Sequence, residues 1–289
     1  MVLQQRGFKC QGQRAILRYG CLWRTPSQIR GREDKRGALD VMSRSKTATE
    51  QNGAVSLHSF NAKGVAVVFG SSGGIGSAFL AALEDAGHFE RVIGFSRSGP
   101  NRFDLTDETS IERAVTAAAD AGEIRLAIDA TGFLHDKNGG PEKSLRDLDG
   151  QRLAHSFAIN AIGPAMLMKH LLPRLPRSGK AAFCTLSARV GSIGDNTLGG
   201  WYGYRASKAA LNQFVKTASI ELARRSPEAL CIALQPGTVA TDLSAPFSGN
   251  SSTVLSPGKS AGNLLNVVNR LQADASGGFF DWNGAEVPW

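Results

Sequence analysis

The chain has 289 residues, 42% of them hydrophobic and 20% charged, with 33 glycines and 11 prolines, proportions that exclude collagen-like and low-complexity architectures. No run of about eighteen apolar residues is free of charge or glycine, so no membrane-spanning helix is expected. The net charge of +8 raises the question of nucleic acid, but residues 1–58 hold eleven Lys and Arg against four Asp and Glu, whereas residues 59–289 hold twenty-two against twenty-one. A folded part so close to neutral offers no basic stripe for a phosphate backbone, and no nucleic-acid partner is expected.

From Met1 to Arg32 there are seven basic residues before the first acid, Glu33, and a single serine, Ser27. That bias resembles a mitochondrial presequence. A disordered basic tail on a cytoplasmic protein is the alternative. Gly37 to Phe60 is rich in Ser, Thr, Ala and Gln without apolar periodicity and reads as a linker. The chain therefore divides into a basic extension and linker over residues 1–60 and one folded domain over residues 61–289. Cys10 and Cys21 fall in the extension, Cys184 and Cys231 fall in apolar runs that predict buried, reduced thiols, and no cysteine spacing suits a metal.

Within the domain, the apolar runs Val65–Phe69, Val92–Phe95, Leu126–Ala130, Ala181–Leu186 and Leu230–Leu234 alternate with amphipathic stretches over residues 75–86, 107–121, 151–174, 204–225 and 258–271. Strands that are apolar throughout, each followed by a helix, predict a parallel sheet covered on both faces. The expected fold is α/β: a doubly wound, Rossmann-type parallel sheet.

The first strand runs straight into Gly70-Ser71-Ser72-Gly73-Gly74-Ile75-Gly76. Here Gly70 permits the tight turn, Gly74 lets backbone approach a pyrophosphate, Gly76 lets helix and strand pack closely, and the N–H groups at the helix start bind the anion. About twenty residues past Gly76, where an NAD-specific fold places a carboxylate for the ribose 2′-hydroxyl, stands Ser96-Arg97-Ser98. Arg97 offers a planar fork to a 2′-phosphate, so NADP(H) is favoured over NAD(H).

Tyr204 and Lys208, four residues apart on a predicted helix, share a face. A tyrosine at its ordinary pKa near 10 is a poor base at neutral pH, and lowering it by three units requires about 4 kcal/mol. A cation about 4 Å away at an effective dielectric of about 20 supplies that much before desolvation is counted, so Lys208 is expected to bias Tyr204 toward the phenolate.

The spacing Gly70, Gly74, Gly76 together with Tyr204-x-x-x-Lys208 resembles the short-chain dehydrogenase/reductase family, and Ser-Ala-Arg-Val-Gly-Ser-Ile, Tyr-Arg-Ala-Ser-Lys-Ala-Ala-Leu-Asn and Asp281-Trp282-Asn283-Gly284 resemble its C-factor-like branch. The resemblance implies interconversion of a carbonyl and an alcohol by hydride transfer, with Tyr204 as acid/base, Lys208 also binding ribose, Asn160 completing a proton relay and a serine orienting the carbonyl. Ser187 is the nearest candidate serine, with Ser192 in reserve, because the family's usual position, three residues before Gly191, holds Ala188. Asp104 is implied to contact adenine. Asp129-Ala130-Thr131-Gly132 occupies the site of the family's Asn-Asn-Ala-Gly and matches it at Gly132, while Pro236-Gly237 and Thr241 match a motif whose threonine meets the nicotinamide carboxamide. The resemblance also implies a homodimer or homotetramer built on the helices of residues 151–174 and 204–225. An expanded loop is expected over Ser192–Gly203, and Asp242–Pro257 reads as a substrate lid with Phe247 and Val254 hinting at an apolar small-molecule ligand. A non-catalytic dinucleotide-binding regulatory or scaffold protein is the alternative function.

Overall fold

A computed structural model describes residues 55–137, 139–250 and 254–289; residues 1–54, where a targeting segment is expected and where Cys10 and Cys21 fall, lie outside the described residues. Six strands form one sheet in the order β2-β1-β3-β4-β5-β6: β1 Val65–Phe69, β2 Arg91–Phe95, β3 Ile124–Asp129, β4 Ala181–Leu186, β5 Ala229–Gln235 and β6 Phe279–Asp281. Every pairing is parallel. The connecting helices are α1 Gly74–Ala86, α2 Glu108–Asp120, α3 Gly150–Phe157, α4 Gly163–Leu171, α5 Tyr202–Arg225 and α6 Pro257–Arg270.

Alternate residues of each strand feed two separate apolar layers. Val65, Val67 and Phe69 of β1 join Phe183, Cys231, Leu211 and Val215 on one face. Ala66 and Val68 join Leu186, Ile232, Phe79 and Leu264 on the other. A strand buried on both faces has no use for polar alternation, which is why the apolar runs were legible as parallel strands. Cys184 and Cys231 are free, buried thiols, and burial pushes both up from the ordinary thiol value.

Two boundaries differ from expectation. The predicted helix over 151–174 is interrupted by a π turn, Ala158–Ile162, and closes in a 3-10 turn over Leu172–Arg174. The domain also begins before residue 61: Leu57 and Phe60 are 2% and 3% exposed, the Ser56 and Ser59 N–H groups donate to the Asn266 and Asn269 side chains of α6, and the Lys180 ammonium lies 4.8 Å from the Phe60 ring centroid. Lys180 in turn donates to the carbonyls of Val268, Asn269 and Leu271 at 2.8, 2.9 and 2.6 Å, capping the C-terminal end of α6 where the helix dipole favours a cation. The linker assigned up to Phe60 thus ends earlier, because two apolar side chains in a polar stretch plug one edge of the core.

Removing Phe60 should be costly. Phe60→Ala is expected to destabilise the domain by about 3–5 kcal/mol, and a chain starting at Asn61 by at least as much, read as a fall in Tm. Equal melting of the Asn61 start and the full chain would show that residues 55–60 are dispensable.

Candidate active site

The chain leaves β1 for β2 on one side and returns to β3 on the other, so the carboxyl ends of β1 and β3 part and open a crevice, the place where ligands sit in open α/β sheets. The cleft there has a volume of about 650 Å³ and is lined by Gly70, Ser72, Arg97, Asp104, Thr131 and Gly132 among others. Gly70 has φ +79°, and a Cβ on Gly76 would lie 2.1 Å from the Gly70 carbonyl oxygen, so both positions require glycine. The helix that follows, like α4 and α5, starts without a side-chain cap. Asp107, Asp149 and Ser256 cap α2, α3 and α6 with their side chains, whereas α1 starts at Gly73 with no side-chain cap. Its first-turn N–H groups are left for an external anion, and the glycine turn leaves room for one. This cradle fits a dinucleotide pyrophosphate.

Other predicted cofactor residues surround the cradle. Ser72 faces the cleft. Ser71 packs toward Gly94 of β2, and Ile75 packs into the apolar layer, so these two have their backbone rather than their side chains to offer. Arg97 is exposed at the rim. Asp104 accepts from the Thr106 N–H and hydroxyl at 2.9 and 2.7 Å; these bonds, with a smaller contribution from Arg97, hold its carboxyl below the usual range. Thr241 reaches the same loop, since a Cβ on Gly74 would lie 2.7 Å from Thr241 Cγ2. Pro236 accepts from the Ser260 hydroxyl at 2.7 Å, and Gly237 has φ +80°, which turns the chain from β5 toward Thr241.

Asn160 sits in the π turn, fully buried. Its Oδ1 accepts from the Phe133 N–H at 2.8 Å, and its Nδ2 donates to the Phe133 carbonyl at 2.8 Å and to the Ser207 hydroxyl at 3.1 Å. The side chain is therefore a clamp between the turn after β3 and helix α5. These bonds occupy both N–H donors and one of the two lone pairs of Oδ1. The extra residue of a π turn aims this amide, a recurrent use of π turns at functional sites.

Tyr204 and Lys208 share the inner face of α5, with the ammonium 5.9 Å from the phenol ring centroid. Lys208 is 3% exposed and donates to the Leu186 carbonyl at 2.7 Å. The expected lowering of Tyr204 is not what the structure shows. Burial pushes the phenol up to about 12, while burial, opposed by Asp129, pushes the Lys208 ammonium down to about 8. Desolvation acts on both groups, and the ammonium donates to the Leu186 carbonyl at the end of β4.

The Ser187 assignment also changes. The Ser187 hydroxyl is buried and donates to Asn212 Oδ1 at 2.6 Å, two helical turns beyond Tyr204. Ala188 is extended, so its side chain leaves the backbone on the opposite side from Ser187. Ser192, the reserve, is 1% exposed and accepts from the Asp195 N–H. Both hydroxyls are engaged inside the protein.

Sequence reasoning missed three contributors. Glu142 accepts from the Gly203 N–H at 3.0 Å, and its carbonyl accepts from the Trp201 N–H, which together fix the start of α5. Trp201 lies 6.2 Å from Tyr204 and 5.3 Å from Phe247, ring to ring, and Phe247 lies 5.5 Å from His135. This arch ties the segment after Thr241 to the start of α5; Val254, by contrast, is 46% exposed. The third, Asp129, is fully buried at the end of β3 beside Thr131 and Thr185. A carboxylate directly after the apolar run Leu126–Ile128 was its signal.

A family profile described as enoyl-(acyl carrier protein) reductase matches residues 53–261. C-signal of Myxococcus xanthus is 38% identical over 146 residues, covering 50% of this chain and 84% of that protein. The chain belongs to the short-chain dehydrogenase/reductase family. A Rhodococcus relative, 1-hydroxy-2-glutathionyl-2-methyl-3-butene dehydrogenase, is 33% identical over 183 residues, covering 63% of this chain and 78% of its own. Among solved structures, the NADPH-bound carbonyl reductase from chicken fatty liver superposes with a TM-score of 0.70 at 25% identity, covering 80% of this chain and 97% of that one. The chain is thus a member of an oxidoreductase family in its C-factor-like branch, and Ala188 is a departure from the family's serine.

Two substitutions separate packing from chemistry. Ser187→Ala should lower stability by about 1–3 kcal/mol, because Asn212 loses its partner in a buried setting, and should change turnover less than about threefold. Ala188→Ser should raise kcat/KM by about tenfold, the worth of one added hydrogen bond to a developing alkoxide. Loss of activity in Ser187→Ala at unchanged stability would restore Ser187 to the chemistry.

Proposed function

We propose that this short-chain dehydrogenase/reductase reduces a carbonyl compound with NADPH, Tyr204 supplying the proton. The observation that carries this reading is the placement of Tyr204 and Lys208 on one face of α5, with Lys208 beside Gly132, a residue of the dinucleotide cleft: a Cβ on Gly132 would lie 3.9 Å from the Lys208 ammonium. Bound NADPH would contribute the hydride. At neutral pH the phenol, held up near 12, carries its proton, and an alkoxide formed beside it is the stronger base, so transfer from Tyr204 is downhill. The ammonium, near 8, is charged at neutral pH and stabilises the phenolate left behind. The reverse reaction needs that phenolate beforehand, which burial opposes, so reduction is the direction the site favours.

Preference for NADPH is supported by Arg97 and by the absence of an acid at the end of β2, as well as by the NADPH of the chicken carbonyl reductase. A homodimer is supported by the apolar groove between α4 and α5, lined by Met168, Leu172, Phe214 and Leu222, where Phe214 is 42% exposed. A dinucleotide-binding protein without turnover is the second reading, favoured by the engagement of Ser187 with Asn212.

Three measurements test the first reading. Tyr204→Phe should lower turnover of aldehydes, ketones or quinones by about 10²–10⁴-fold with NADPH affinity unchanged. Arg97→Glu should weaken NADPH binding at least about tenfold while sparing NADH. The reduction rate should be flat through neutrality and fall above roughly pH 8 as Lys208 loses its proton. NADPH binding without oxidation across the carbonyl panel would favour the second reading.

A further inference from the structure

We propose that Asp129 is the counter-ion of Lys208: a positioning residue that keeps the buried ammonium charged. The two groups hang on successive residues of one strand. Asp129 Oδ2 accepts from the Thr185 hydroxyl at 2.7 Å, and Lys208 donates to the carbonyl of the next residue, Leu186, at 2.7 Å. The other oxygen of Asp129 accepts from the Thr131 N–H and hydroxyl at 3.1 and 2.5 Å. The Thr131 N–H is a donor and both hydroxyls are free to rotate into donors, so an ionised carboxylate is satisfied by all three. Both residues are sequestered from water, Asp129 at 0% and Lys208 at 3% exposure, and a buried charge without an opposite partner is strongly unfavourable.

The surrounding groups leave this pairing without a rival. On α5 the titratable neighbour of Lys208 is Tyr204, a neutral phenol; the π turn and α3 contribute the neutral Asn160 and Ser156, β4 and its end contribute Thr185 and Ser187, and α5 adds Ser207 and Asn212. Burial pushes the Asp129 carboxyl up, opposed by its bonds from Thr131 and Thr185 and, to a smaller extent, by Lys208; burial pushes the Lys208 ammonium down, opposed by Asp129. The resemblance puts an uncharged asparagine at residue 129, so the charge is a property of this chain. The family's serine hydroxyl is replaced at Ala188, which leaves more of the site's electrostatics to the ammonium.

The consequence for catalysis rests on the carbonyl-reductase reading, but the pairing does not, and its test needs no turnover. Tm of the full chain is measured from about pH 6 to about pH 10 for wild type, Asp129→Asn, Lys208→Met and the double variant. With the pair intact at low pH, Asp129→Asn strands the ammonium and should melt about 3–5 °C below wild type near pH 6. As pH rises the variant loses the Lys208 proton first, so its deficit should shrink and then reverse near pH 10, where wild type holds a lone carboxylate. In the Lys208→Met background this alkaline change should vanish. A pH-independent offset between wild type and Asp129→Asn would overturn the proposal and leave Asp129 a neutral staple for Thr131 and Thr185. Should Asp129→Asn fail to fold, infrared spectra decide: the proposal expects a protonated-carboxyl band at neutral pH in Lys208→Met and none in wild type, and the same spectrum in both would overturn it. Failure of the whole carbonyl panel with a reversing Tm difference would sink the reductase reading and leave the ion pair standing.

Discussion

An ammonium taken out of water loses several kcal/mol of solvation, recovered only where carbonyls and an opposite charge are aimed at it. Lys208, 3% exposed, imposes this condition on the strand ends around it. β4 stops at Leu186, whose carbonyl faces the ammonium, while the following N–H, of Ser187, pairs with Leu234 of β5. β3 delivers Asp129 and then turns at Thr131 and Gly132. α5 must enter one turn before Lys208, which puts Tyr204 at the mouth. The chemistry of the site follows from where one cation can be tolerated.

What keeps these parts in register is the π turn. A regular helix through residues 150–171 would carry Asn160 on a different bearing from the one that reaches both Phe133 and Ser207. The additional residue in the turn redirects the amide, and one side chain then joins the loop after β3 to α5 through hydrogen bonds at 2.8, 2.8 and 3.1 Å. Gly163 and Pro164 restart the helix immediately after it. Close approach explains the glycine: a Cβ there would lie 2.4 Å from Leu105 Cγ.

The strands were legible because burial on both faces writes itself as an unbroken apolar run, and the glycine loop because its turn and close contacts admit no side chain. β6 was not, since its three residues Phe279–Asp281 give no periodicity to read. Residues 55–60 were not, since two apolar side chains in a polar stretch carry no pattern. Tyr204 and Lys208 could be read from spacing and Asn160 from the family resemblance, but not the bonds they make. Whether Ser187 meets a substrate or Asn212 depends on which way the backbone turns at the end of β4, and one residue of offset reverses the side chain.

Trp201 shows how an inserted loop is used. Among the described residues it is the one non-glycine with positive φ, +52°, following Gly199 and Gly200 at +64° each. A left-handed tryptophan costs roughly 1–2 kcal/mol, and such strain persists where surrounding contacts overdetermine it. Here the contacts are the Glu142 carbonyl and side chain at the start of α5. In return the indole stands across Tyr204 and meets Phe247 from the segment after Thr241. An apolar cover over the phenol keeps water from the interior and lowers the local dielectric, which strengthens the field of a buried charge as surely as it raises the cost of leaving that charge unpaired. The aromatic arch and the buried carboxylate are therefore two halves of one arrangement: the drier the mouth of the site, the more the ammonium beneath it depends on Asp129.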